Sequence, residues 1–224
     1  MNKTKLYFLR HGQSVGNAQH VLLGHTDLPL SELGYHQAEV AAKAFADEKI
    51  DLIFSSSLKR AFSTALAHAE LRNIEVIPDT EFREMFLGDW ESQSTMELRA
   101  NKDPLFEDFI YRFGYFVTPN GEDIWELGER IYRTAERVAK ENTGKNILIG
   151  CHAAAIRMFF AKILGYGKEE VSTKLPFPTN ASFSICEYDG SRFIPLEFSK
   201  DEHIIGELGI PSAHIIFDCA RTEE

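Results

Sequence analysis

Four short apolar runs punctuate the chain at residues 6–9, 51–54, 74–77 and 146–149, each rich in β-branched or aromatic side chains and bounded by polar or glycine positions. Runs of this length and composition predict buried strands. The segments between them carry a different period. Residues 31–48 place Ala38, Ala41, Ala42 and Phe45 on one side, and residues 57–69 and 123–141 continue the helical pattern. A strongly apolar stretch, residues 153–164, follows the fourth run and stops at Gly165. Strands alternating with helices predict an α/β fold, a three-layer sandwich with a mostly parallel central sheet flanked by helices. Residues 182–188 and 193–198, separated by Asp189-Gly190, read as a hairpin added at the sheet edge.

Residues 95–120 break the alternation. They hold Phe106, Phe109, Tyr111, Phe113, Tyr115 and Phe116 in one short window between two elements of the sheet, which predicts a small helical insertion. These aromatics either build the insertion's own core or line a lid over a pocket. No repeat, low-complexity tract or linker divides the chain, so residues 1–224 are expected to form a single domain carrying this insertion.

Composition narrows the class. In 224 residues, 44% are hydrophobic and 26% charged, as in a globular protein with a sizeable core. The net charge of −10 supplies no global positive field for nucleic acid or an anionic membrane, so an anionic ligand must be held by a local cluster. Cys151, Cys186 and Cys219 are too few and too scattered for a disulfide framework. The first apolar run is too short for a signal peptide, and none approaches the roughly 20 apolar residues of a membrane span. A cytoplasmic location is expected. An exposed insertion face or edge strand could support a homodimer.

The candidate chemistry sits at strand ends, where open α/β sheets place their ligands. The first strand ends at Arg10-His11-Gly12, the second at Ser55-Ser56-Ser57 with Arg60 following, and the fourth at Gly150-Cys151-His152. Two arginines and two histidines thus point to one edge. Forked guanidinium donors and nearby helix starts match phosphate oxygens, so the convergence describes a pocket for a phosphoryl group.

The same residues carry a resemblance. Leu9-Arg10-His11-Gly12-Gln13-Ser14 with Asn17, the continuation from Gly24-His25-Thr26-Asp27 to Ser31 with Gly34 and Gln37, Ser55 to Ala61, Phe82-Arg83-Glu84-Met85 with Gly88-Asp89-Trp90-Glu91, Gly121-Glu122-Asp123, His152, and Asn180 with Ser182 follow one another in family order. The chain resembles the histidine phosphatase superfamily, on its phosphoglycerate-mutase-like branch. It departs at Ala153, where the family usually has Gly and where a side chain crowds the backbone beside the phosphate. Ser92 likewise replaces a common Gly, and Asp123 a usual Ser that caps the next helix.

The resemblance implies a two-step phosphoryl transfer. His11 would attack phosphorus, Arg10, Arg60 and His152 would hold the oxygens, Asn17 would add a neutral donor, and Gln13, Ser14 and Ala153 would complete the binding positions. One nitrogen of His11 must donate a hydrogen bond so that the other stays bare. His152 is expected as imidazolium. Glu84 matches the proton donor for the leaving oxygen, with Glu91 as a nearby competitor. The implied substrate is a small phosphorylated metabolite, with no cofactor and no metal, since neither His-Glu-x-x-His nor paired Cys spacing occurs.

Alternatives are weaker. Cys151 to Arg157 has the spacing of cysteine-dependent phosphatases, but lacks the glycines that let backbone N–H groups curl around phosphate, and leaves Arg10-His11-Gly12 unexplained. A phosphoglycerate-type mutase would need substrate contacts that Arg99, Lys102 and Arg112 of the insertion do not match. A binding module without turnover would need the clamp but neither nucleophile nor acid. Residues 200–224 are apolar enough at Ile204-Ile205 and Ile215-Ile216-Phe217 to dock on the body.

Overall fold

A computed structural model describes residues 3–204 and 215–216. In chain order the elements are β1 (Thr4–Arg10), α1 (Val15–Ala18), α2 (Glu32–Ala44), β2 (Leu52–Ser56), α3 (Lys59–Arg72), β3 (Val76–Asp79), α4 (Thr95–Ala100), α5 (Pro104–Tyr111), α6 (Ile124–Glu141), β4 (Asn146–Cys151), α7 (Ala153–Ile163), α8 (Lys168–Lys174), β5 (Phe183–Tyr188), β6 (Phe193–Lys200) and β7 (Ile215–Ile216). They build one sheet in the order β3-β2-β4-β1-β5-β6-β7. The first four of these strands run parallel, and β5, β6 and β7 continue the sheet antiparallel from β1. The α/β sandwich and its edge hairpin are present, and the parallel half carries the strand ends read from the sequence.

Side-chain alternation along the central strands explains the layers. Leu6 and Phe8 of β1, with Ile147 and Ile149 of β4, join one core cluster with Leu127 and Ile131 of α6 and Phe159 of α7. Tyr7, Leu9 and Leu148 point the other way, into a second core with Ala41 of α2 and Ala65 of α3. Uninterrupted apolar runs are what a sheet covered on both faces requires. The observed strands extend past those runs at their carboxyl ends, so Arg10, Ser55 and Gly150 sit on the ladder itself. The third strand starts later than its apolar run: Ile74 donates its N–H to the Ala69 carbonyl at 3.1 Å, closing α3 after Asn73 in the left-handed region.

Caps mark which helices serve the site. Ser31 caps α2 by accepting from the Gly34 N–H, and Asp123 caps α6 by accepting from Trp125 and Glu126. In contrast, α3 and α7 have no side-chain cap on their own N-cap residue. Their first turns open at the edge where the strands end.

Residues 95–120 contain α4, α5 and a 3-10 turn over Phe113–Tyr115. Phe106, Phe113 and Phe116 are buried and pack on one another and on Trp90, Phe109 and Phe177 in edge-on, tilted and stacked geometries at centroid distances of 4.9–6.2 Å. Tyr111 is exposed. Of the tail residues expected to dock, Ile204 is buried and Ile215–Ile216 pairs with β6. Ile205, His214, Phe217 and Cys219 lie outside the described residues. Among the described residues, no helix is long and apolar enough to cross a membrane.

Candidate active site

Because β1 and β4 lie side by side with Arg10 opposite Cys151, His11 and His152 leave neighbouring strand ends together. Their ring centroids are 5.2 Å apart. A cavity of about 310 Å³ opens here, and Arg10, His11, Ser14, Asn17, Arg60, Glu84 and Ala153 line it. The loop after β1 reaches this position only through two glycines. A Cβ on Gly12 would stand 2.3 Å from the Gly34 carbonyl oxygen, and one on Gly34 would stand 1.9 Å from that of Gln13.

His11 is held from both sides. Nδ1 lies 2.7 Å from the Gly12 carbonyl oxygen; a carbonyl only accepts, so Nδ1 carries the proton and Nε2 keeps its lone pair. The His11 carbonyl accepts from Asn180 Nδ2 at 3.0 Å and from the Ala181 N–H at 3.2 Å. Burial, then the Arg60 and Arg10 guanidiniums, pushes the His11 pKa well below the ordinary imidazole value. The ring is therefore neutral.

The cations are anchored through backbone carbonyls. Arg60, almost fully buried, donates to Thr26 O at 2.9 Å, Gly24 O at 2.8 Å and Leu23 O at 3.2 Å. Arg10 donates to Pro178 O, and its Nε is buried with no partner among the described residues. Burial lowers Arg10 to about 10, Glu84 opposing the change and Arg60 adding to it. His152 gives its Nε2 to a 2.8 Å contact with Ser56 Oγ, while its Nδ1 is buried with no partner among the described residues. Burial, then the Arg60 and Arg10 guanidiniums, pushes His152 well below the ordinary value. The imidazolium expected from the sequence is thus disfavoured here, because burial strips the charged ring of water and two guanidiniums repel it. The unpartnered Nε–H of Arg10 can only donate, so it calls for an acceptor. An oxyanion fits.

Glu84 enters from the segment after β3. Its Oε1 accepts from the Ala155 and Met85 N–H groups, and Oε2 from the Ala154 N–H, all at 3.0 Å. It supplies the cap that His152 leaves out at the start of α7. Glu91 is turned elsewhere: it accepts from His25 N, Thr26 N and Leu87 N at 2.7, 2.8 and 3.0 Å, and from the Thr26 hydroxyl. Burial raises its pKa, but these hydrogen bonds outweigh it and the net direction is down. Glu91 does not line the cavity, which removes it as competitor to Glu84. Gln13 does not line it either; its Oε1 accepts from Ser31 Oγ at 2.8 Å. His152 lies behind the lining rather than in it. Ser14 caps α1 through the Asn17 N–H, and Asn17 Oδ1 accepts from the Ser14 N–H, leaving the amide NH₂ of Asn17 as its ligand donor.

With this arrangement in view, a model of the histidine phosphatase superfamily (branch 1) matches residues 6–200. The chain belongs to that superfamily. It is 30% identical over 203 residues to the Bacillus subtilis protein named uncharacterized phosphatase PhoE, covering 91% of this chain and 98% of the relative. It is 28% identical to phosphoserine phosphatase 1 of Hydrogenobacter thermophilus, covering 89% of this chain and 94% of that one. The solved structure of Bacillus stearothermophilus YhfR superposes with a TM-score of 0.83 at 26% identity, covering 89% and 98% of the two chains.

No motif of this histidine phosphatase marks Arg130, whereas the aromatic window that holds Phe109 was expected either to build its own core or to line a lid. Arg130 of α6 forms a two-pronged ion pair with Glu122, both contacts at 2.8 Å, and donates to the carbonyls of Glu81, Arg83 and Glu84. It fixes the backbone that presents Glu84. The far side of the cavity is apolar, with Val21, Leu22, Leu23, Leu87, Phe109 and Phe177. The Cys151–Arg157 pairing fails. Cys151 is fully buried, its Sγ faces the Phe82 carbonyl at 3.6 Å, and burial raises its thiol to about 12. Arg157 lies over the rings of Phe113 and Phe177 at 4.5 and 4.3 Å. Ser92 takes φ 65°, the left-handed region that glycine enters freely. Among the described residues, no group of three or more His, Cys, Asp or Glu is placed to hold a metal ion.

Proposed function

We propose that the chain hydrolyses small phosphomonoesters through a phosphohistidine formed on His11. The observation that carries this reading is the Nδ1–H of His11 on the Gly12 carbonyl, which leaves Nε2 bare in a cavity shared with two arginines and one carboxyl group. Nε2 attacks phosphorus, the P–O ester bond breaks, and protonated Glu84 delivers its proton to the leaving oxygen. Water then attacks the phosphohistidine, giving a proton to the Glu84 carboxylate as the P–N bond breaks and inorganic phosphate leaves. Arg10, Arg60, the Asn17 amide and the Ala153 N–H meet the oxygens on which charge develops. A bound phosphoryl dianion brings negative charge close to His152, which favours its imidazolium.

The apolar far side favours an alcohol with an apolar or ring-bearing body. A phosphoserine phosphatase is among the relatives, but among the described residues this cavity has no cation beyond Arg10 and Arg60 to meet a carboxylate close to the ester.

The test is turnover of 4-nitrophenyl phosphate in chelator, comparing wild type, His11→Ala and Cys151→Ala, with trapping of the phosphoenzyme. Turnover lost only in His11→Ala, with an acid-labile adduct, is the expected result. Full activity in His11→Ala refutes the mechanism.

A further inference from the structure

A second cavity, of about 560 Å³, adjoins the first. The two share a wall, since Phe109 and Ile110 of α5 line both. The segment after α1 also serves both: Val21 and Leu22 line the first, whereas His20, turned by φ 56°, lines the second. This boundary is tied to the insertion, because the His20 carbonyl accepts from the Thr95 N–H at 2.8 Å and Leu22 exchanges backbone bonds with Gln93 and Ser92 at 2.9 and 3.0 Å.

The cavities differ in chemistry. The charged groups of the first all belong to the phosphoryl end, and its remaining walls are mostly apolar. Among the described residues the second is lined by Arg99 and His20 and by no acidic residue, in a chain whose net charge is −10. The Arg99 backbone carbonyl accepts from the Lys102 N–H at 3.1 Å, whereas the Arg99 guanidinium makes no hydrogen bond or ion pair with any described residue. Size matters as well. At about 310 Å³ the first cavity stands at the low end of small-molecule sites, which run from about 300 to 1,000 Å³, so an alcohol larger than a ring-sized group must leave it, and the shared wall is an apolar path out.

We propose that the second cavity is a subsite for a distal anionic group of the substrate. The leaving alcohol passes the apolar wall of Phe109 and Ile110 and presents a carboxylate or phosphate to Arg99 and His20. The preferred substrate is then a phosphomonoester with an apolar middle and a second anion remote from the ester. A compact substrate such as phosphoserine instead strands its charges against apolar walls. This inference rests on the phosphatase reading, which it deepens.

The experiment compares phenyl phosphates bearing para-alkyl tails of increasing length, ending either in a carboxylate or in a methyl group, on wild type, Arg99→Ala and Arg99→Glu. At one tail length the carboxylate should lower KM about three- to tenfold relative to methyl, as expected for charge pairs that remain near solvent. That advantage should shrink in high salt, disappear in Arg99→Ala and invert in Arg99→Glu, while turnover of tail-less phenyl phosphate stays at the wild-type level. No carboxylate advantage at any length overturns the subsite, as does an advantage that survives in both Arg99 variants. Should wild type turn over neither ester, the phosphatase reading falls, and equilibrium dialysis of the same ligand pairs decides the subsite by the same affinity ratio.

Discussion

His68 offers a quantitative test of how the core beneath the catalytic loop is held. It lies on the buried face of α3, one turn after Thr64, whose hydroxyl accepts the Gly12 N–H at 3.0 Å. Its ring meets the edge of Phe183 at 5.6 Å, and neither nitrogen has a partner among the described residues. Burial, followed by the nearby Arg72 and His203 charges, lowers its pKa from 6.5 to about 3. The folded ring therefore stays neutral as pH falls, while the unfolded ring takes a proton below about 6.5. The unfolded state binds more protons in that window, so stability decreases as pH drops from about 6.5 towards 3, at up to ~1.36 kcal/mol per pH unit. Between pH 7 and pH 5 the site alone should cost about 2 kcal/mol. His68→Leu removes the titrating ring at similar volume, with a repacking cost under about 1.5 kcal/mol. Urea unfolding of both proteins at pH 7, 6 and 5 isolates this contribution, because His11, His152 and His203 titrate alike in both. The stability difference should move by about 2 kcal/mol in favour of the variant from pH 7 to pH 5. Parallel loss in the two proteins would refute a neutral, unpartnered His68.

Four further outcomes follow from the site. Since burial and the two guanidiniums depress His11, kcat/KM should hold as pH falls through 6.5, the nucleophile staying unprotonated; an acid limb at the ordinary imidazole value contradicts that environment. Glu84→Gln should slow alkyl phosphates by about 10²–10⁴ and 4-nitrophenyl phosphate much less, because nitrophenolate leaves without a proton; equal losses would remove Glu84 as the acid. Arg130→Met breaks the Glu122 ion pair, both partners being mostly shielded, and should cost about 3 kcal/mol in urea unfolding. Its kcat loss should repeat the alkyl-over-aryl bias of Glu84→Gln; an unbiased loss would make Arg130 purely structural. Cys151→Ala should keep turnover within about twofold of wild type while lowering stability by about 1 kcal/mol, as loss of one buried group does, and abolished activity would revive the cysteine mechanism.

The elements were readable because their signals are local. Apolar runs in β1, β2 and β4 fit a sheet covered on both faces, and the polar residues ending each run marked where the ladder meets solvent. The order Arg10-His11-Gly12, Arg60 and His152 could be placed on one edge from strand direction alone. Gly12 and Gly34 were legible as motif positions, but their cause, two backbones at closest approach, exists only once α2 has packed against the first loop.

Other features were decided by packing between distant segments. Glu84 and Glu91 are both carboxylates in one short stretch; only the docking of that stretch on the start of α7 sends the first into the cavity and the second under His25 and Thr26. Arg130 holds Glu84 from a helix some fifty residues away in sequence, and His152 is surrounded by cations that no single motif contains. The apolar far wall joins residues after α1, in α5 and before β5. Periodicity determines which face a side chain takes because it depends on neighbours a few residues away, whereas the electrostatics and shape of a cavity depend on groups that meet only after the sheet has formed and its loops have closed over one edge.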